Sequence, residues 1–210
     1  MFAATDGAQK TAYSANPVAA GATNITIPLT VSTSLITKLS TSNTFSDTST
    51  GSFTDSTVGV KVGLDSGALG SSGTSAYLSA KKTTNVPVSS DTNILGDAGW
   101  DISAVNGSSA VTNLATGKNA EITLTMTKAD MTAEGVDTTT EVAAVTIVSW
   151  SDDKKTWESL GTIPTYRDSD GVAVTPTSNL SNVSSVDFAT SDASHFSAYA
   201  LSSPTNDSLL

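Results

Sequence analysis

The chain has 210 residues, a formal net charge of −10 and only 14% charged residues, and Ser and Thr together fill about a third of it. Its ten basic residues, never more than two adjacent, offer no patch for a phosphate backbone or an anionic membrane surface, which argues against nucleic acid as a partner. With no cysteine, disulfides, thiolate catalysis and Cys-type metal sites are excluded, and no run approaches the roughly 18 apolar residues of a spanning helix, so no membrane insertion is expected.

Residues 1–22 carry little hydrophobic patterning. They read as an N-terminal extension and a candidate donor strand, with the body of the protein over 23–210. The start, from Met1 to Gly7, lacks the basic and apolar regions of a signal peptide, so an exported chain is expected to have lost a leader before it. Period-2 alternation then recurs. Ile25, Ile27, Leu29 and Val31 share one face of a predicted strand over 24–31, whose Pro28 on the other parity implies an edge or a bulge. Val58, Val60, Val62 and Leu64 repeat the pattern, and so do Ile122, Leu124 and Met126. Residues 40–57 and 66–75 are polar and nearly low-complexity, reading as long loops or solvated strands.

Turn chemistry supplies the punctuation. Asn106-Gly107 signals a tight hairpin, residues 151–155 separate two runs that form a second, and Asp170-Gly171 marks a third turn. One short helix is predicted over 128–134, with Thr127 and Asp130 as a capping box and Gly135 as its end. The fold class is therefore all-β: an antiparallel β-sandwich of roughly ten strands with one short helix. An alternative divides the chain into two small sandwiches near 66–75.

The segments Ala120–Met126, Ala129–Val136, Val145–Trp150, Thr156–Leu160 and Ser194–Leu201 together resemble a module of secreted bacterial and archaeal cell-surface proteins. In that module a strand leads to a short helix, then to a hairpin carrying two tryptophans. It closes on a His-Phe-Ser-x-Phe/Tyr-Ala strand like the last strand of ZU5 and GAIN sandwiches. The resemblance covers residues 118–202 and implies a mostly non-enzymatic protein, extracellular or on the cell surface. In ZU5 and GAIN domains a His-x-Ser/Thr step can cleave itself by an N→O acyl shift. Carried over residue by residue, His195 is the base, Ser197 the nucleophile and Phe196–Ser197 the scissile bond.

His195 is the only histidine, so multi-His metal centres are excluded and any Ser-His-Asp arrangement depends on it. As an ordinary strand residue it caps or pairs, with Phe196 in the core. Asp152-Asp153 and Asp168-Ser169-Asp170-Gly171 are the candidate Ca²⁺ ligands, hard oxygens in turn sequences, although the EF-hand Glu is missing; no other cofactor is indicated. Aspartate in such turns is otherwise explained by its affinity for the backbone. Trp100, Trp150 and Trp157 are candidates for stacking a glycan, or for plain core and cross-strand packing. Five Asn-x-Ser/Thr sequons begin at Asn24, Asn106, Asn179, Asn182 and Asn206.

The expected function is that of a non-enzymatic extracellular structural protein, a homo-oligomer or polymer forming a surface filament or layer through β-strand contacts. Two alternatives stand beside it: a carbohydrate-binding or adhesion module, and a self-cleaving sandwich.

Overall fold

The alternation read at Ile122, Leu124 and Met126 becomes the middle strand of the smaller of two sheets. Ala120, Ile122, Leu124 and Met126 are buried while Glu121 and Thr127 are exposed. A strand with one apolar face is stable only when that face is laid on another, and here the second face belongs to a larger sheet. The computed structural model describes residues 3–5, 11–13, 36–38, 51–56, 58–65, 67–70, 76–84, 86–87, 92–106 and 109–204. The predicted strand over 24–31, with Pro28, lies outside them, as does most of the 1–22 extension.

In chain order the strands are β1 (Ala3–Thr5), β2 (Thr11–Tyr13), β3 (Ile36–Lys38), β4 (Gly51–Asp55), β5 (Val60–Leu64), β6 (Ala76–Thr83), β7 (Asn93–Asn106), β8 (Ser109–Val111) and β9 (Ala120–Thr127). Helices α1 (Lys128–Ala133) and α2 (Thr139–Ala144) follow. The chain then continues with β10 (Thr146–Ser151), β11 (Thr156–Leu160), β12 (Ile163–Arg167), β13 (Ser185–Ala193) and β14 (Ala198–Ser203). The large sheet has the order β11-β10-β14-β7-β6-β3, with β8 also on β7, and the small sheet is β12-β13-β9-β5-β4; every pairing is antiparallel. The protein is an all-β sandwich. Strands on either side of residues 66–75 share both sheets, β5 lying beside β9 and β3 beside β6.

Between the sheets lies a core that includes Leu78, Ile102, Ile122, Leu124, Ile147, Val186, Phe188, Tyr199 and Leu201. Val60, Val62 and Leu64 enter it from β5, with Val58 packed at its margin, as the alternation predicts. Of the three turns, residues 152–155 close the β10–β11 hairpin, with Lys155 in the left-handed region at φ 54°. Asn106 is the last residue of β7 and pairs with Ser109, so that reversal falls one residue later than Asn106-Gly107 implies.

A second correction concerns the helices. Helix α1 forms where expected, with the Thr127 side chain accepting from the Asp130 N–H at 3.2 Å. Its end is a Schellman arrangement: Val136 N–H reaches the Met131 carbonyl, Gly135 N–H reaches Thr132, and Gly135 sits at φ 72°. Helix α2 was not expected, because Thr138-Thr139-Thr140 is a β-branched run of low helix propensity. What makes it a helix is a reciprocal capping box between Thr138 and Glu141, together with burial of Val142. The tertiary contact and the cap outweigh the propensity.

That cap carries a pH dependence. Hydrogen bonds from the Asp137 backbone, then from the Thr138 hydroxyl and backbone, hold the Glu141 carboxyl below its ordinary value. A carboxylate lowered in the folded state stabilises the fold above its unfolded pKa, and that contribution is lost as pH falls through the folded value. The gap in urea midpoint between the wild type and Glu141→Ala is therefore expected to be full at neutral pH and to shrink below about pH 4. A gap as wide at pH 3 as at pH 7 would show that the charged form is not the stabilising one.

Candidate functional site

His195 lies where the chain passes from the small sheet to the large one. Two crossovers run side by side at this corner: residues 112–114, leaving β8 for β9, and residues 194–197, leaving β13 for β14. Phe196 N–H donates to the Thr112 carbonyl at 2.8 Å, Leu114 N–H to Ser194 at 2.9 Å, and Asn113 and His195 form an isolated bridge. Phe196 is buried in the core and His195 is half-buried. The Tyr199 hydroxyl, from a side chain 0% exposed, donates back to the His195 carbonyl, tying β14 to the turn that delivers it. Burial pushes that phenol well above its ordinary pKa, so it stays a neutral donor.

The reactive geometry that the resemblance implies can be set against this. The Ser197 hydroxyl donates to the Ala198 carbonyl at 3.1 Å, two peptides downstream of the Phe196–Ser197 bond, and no hydrogen bond joins it to the His195 ring. That ring is instead 6.5 Å from the ring of Tyr199, tilted by 31°. None of His195, Phe196 and Ser197 has a positive φ. The corner is held by ordinary backbone pairing.

The three tryptophans do not share a face. Trp100 points inward in the large sheet, 3% exposed, and its indole N–H donates to the Val58 carbonyl at 2.6 Å while Lys82 Nζ lies 5.5 Å from its ring centroid. Around it a cavity of about 130 Å³ is lined by Lys82, Leu95, Met126, Asp130 and Glu134. Trp150 and Trp157 face outward and are directly opposed across β10 and β11, edge to face at 5.5 Å and 69°. Their indole N–H groups are committed, Trp150 to Asp152 at 3.1 Å and Trp157 to the Pro87 carbonyl at 3.0 Å. Two rings at that angle make a packed pair rather than the flat platform a sugar ring stacks on.

The carboxylate groups are likewise apart. Asp152 and Asp153 are exposed on the β10–β11 turn, where Asp152 also receives Lys155 at 3.4 Å. Asp168 Oδ1 accepts from the N–H of Asp170 at 3.0 Å and of Val172 at 2.9 Å, closing a turn in which Gly171 has φ 76°. Among the described residues no three His, Cys, Asp or Glu side chains gather where a metal ion would need them. Of the described sequons, Asn106 and Asn182 use their amide N–H groups on the Leu69 and Thr175 carbonyls, and Asn179 and Asn182 are both exposed.

Three features escaped the sequence reading. The outer face of the large sheet carries a second apolar cluster, Val148, Trp157 and Ala200, with Val86, Ile94, Trp150 and Ala198 packed on it. Arg167 pairs with Asp187, which also accepts from Thr125 at 2.7 Å, while Arg167 Nη1 reaches the Gly171 carbonyl at 3.0 Å; this braces the outer face of the small sheet. The third is the unequal treatment of two sheet edges, β11 and β12.

On β12, Tyr166 gives its carbonyl outward to Val174 N–H at 2.9 Å and Asp168 N–H reaches Val172 at 3.0 Å, so residues 172–174 cover that end of the edge. Pro164 shares the outward parity of Tyr166 and has no N–H, which blunts the rest. On β10, the Ile147 N–H and the Ser151 carbonyl both point toward β11, where they meet Thr162 and Lys155. Their parity turns Thr156, Glu158 and Leu160 toward β10 and leaves the backbone of Trp157 and Ser159 facing outward. Among the described residues nothing pairs with β11 on that side. The chain matches no known protein-family model, no curated protein and no solved structure.

Proposed function

We propose that this chain is a non-catalytic structural protein of the cell exterior, a subunit that builds a surface filament or layer through β-strand contacts. The observation that carries this reading is the edge of β11, five residues long and without a strand partner on its outer side among the described residues, on a sandwich whose edge β12 is covered and blunted. An unpaired row of N–H and C=O groups is a template for another strand, and natural sheets usually hide it. Leaving one edge open while protecting the next is what a self-assembling subunit requires. The Ser- and Thr-rich composition supports a place outside the cell. The charge of −10 makes copies repel one another, so screening favours contact.

Negative-stain imaging of the purified protein, with and without Ca²⁺ and at low and physiological salt, tests the reading. Ordered filaments or sheets are expected, more abundant at the higher salt. Discrete single particles in every condition would overturn it.

A further inference from the structure

We propose that the cavity beside Trp100 is a binding site for a free amino acid with an apolar side chain. The site uses no strand edge and stands apart from the assembly reading.

An arch in β7 makes the space. Ile94 pairs with Ser202 and Gly99 with Ala200, so residues 95–98 stand opposite Leu201 alone, and Gly96 takes a φ of 67° to turn the arch. A bulge of this kind re-aims side chains and recurs beside functional sites. Here it opens about 130 Å³ between β7 and helix α1. The floor is apolar and closed, because Leu95, Trp100, Met126 and Leu201 are all buried. The Trp100 indole N–H is already committed to the Val58 carbonyl, so this side chain offers its ring to a ligand and not a hydrogen bond. An apolar cavity of about 150 Å³ holds a molecule the size of benzene. The space beside Trp100 therefore suits one branched aliphatic side chain.

The rim carries both signs of charge. Lys82, Asp130 and Glu134 are exposed beside the cavity, and among the described residues no ion pair or side-chain hydrogen bond engages any of the three. Lys82 Nζ lies 5.5 Å from the Trp100 ring centroid, and the Glu134 carboxylate stands next to Gly96, where a Cβ would meet its Oε1 at 3.9 Å. Asp130 and Glu134 are four residues apart on α1 and so lie on one face of it. An amine alone would leave Lys82 facing a like charge, and a carboxylate alone would do the same to Asp130 and Glu134. A zwitterion satisfies both signs. Its carboxylate goes to Lys82, its ammonium to Asp130 and Glu134, and its side chain onto the floor. All three charged groups border one small space, so a single molecule reaches them. An apolar pocket with a few convergent polar groups is the usual make-up of a small-ligand site.

The chain has three tryptophans, so a nitrogen–proton correlation spectrum carries three indole signals, assigned with Trp150→Phe and Trp157→Phe variants. Titration with leucine, isoleucine, valine or methionine is expected to shift the Trp100 signal to saturation and to leave that of Trp150 in place. Isoamylamine is leucine without its carboxylate, and isocaproate is leucine without its amine; each should bind several-fold more weakly. Lys82→Ala should weaken leucine several-fold, and so should Asp130→Asn combined with Glu134→Gln. Ala133→Phe, at an exposed helix position on the rim, should abolish the shift while circular dichroism stays that of the wild type. No shift with any of the four amino acids would overturn the proposal. Equal binding of leucine and either analogue would do so too. A shift that survives Ala133→Phe and both charge changes would place the ligand elsewhere and remove the site.

Discussion

Replacing Tyr199 by Phe is expected to lower the free energy of unfolding by about 1–3 kcal/mol, the cost of leaving a buried polar group without its partner. Replacing it by Ala should cost about 3–5 kcal/mol, because the whole ring is then lost from the core. The two variants separate two roles of one side chain. Its ring fills the space beside Trp100 and Ser149, which face it across β7 and β10. Its hydroxyl holds the His195 carbonyl at the corner where the chain changes sheets. Urea unfolding curves measure both. A Tyr199→Phe variant as stable as the wild type would show that the corner does not depend on that hydrogen bond.

Gly99→Val should be destabilised by about 2–3 kcal/mol through overpacking. A Cβ at Gly99 would stand 2.6 Å from Val86 Cγ1 and 2.7 Å from the Tyr199 carbonyl oxygen. The first contact can be relieved by moving residues 86–87, but the second is backbone in the neighbouring strand and cannot give. Displacing residues 86–87 also breaks the hydrogen bond from Trp157 to Pro87, so the variant should show red-shifted tryptophan emission while still folded. Gly63→Ala is the matched control. Its Cβ would find Glu121 Cβ at 3.5 Å, an ordinary contact, and the change should stay within about 0.5 kcal/mol. Equal effects at the two glycines would mean that residues 86–87 do not press on the sheet.

How far the sequence foretells this fold depends on how many faces of a strand are covered. Strands β5 and β9 have one wet face, so buried and exposed residues alternate and both could be read directly. Strands β10 and β14 are covered on both faces. Three successive residues are buried in Thr146–Ser151 and four in Ala198–Ser203, and such a run carries no period by which to assign inside and outside. The outer apolar cluster on Val148 and Ala200 was invisible for that reason. Helix α2 was hidden by its threonines, whose low propensity is overridden by a cap that only the folded chain completes.

The candidate site divides in the same way. That Trp150 and Trp157 face each other follows from a hairpin whose turn residues are plain in the sequence. That Trp100 lies on the opposite side of the same sheet does not, because it depends on Trp100 of β7 meeting Val58, 42 residues earlier and just before β5. Likewise Pro164 reads as an edge marker only once Tyr166 is seen to give its carbonyl outward.

Residues 86 and 87, lying across Gly99 and Trp157, bear on how copies would be arranged. They form a roof over part of the large sheet, so that part is closed to an identical sheet laid broadside. Among the described residues its rim at β11 has no such cover. Under the strand-contact reading, copies would then meet at the rim rather than over the covered face.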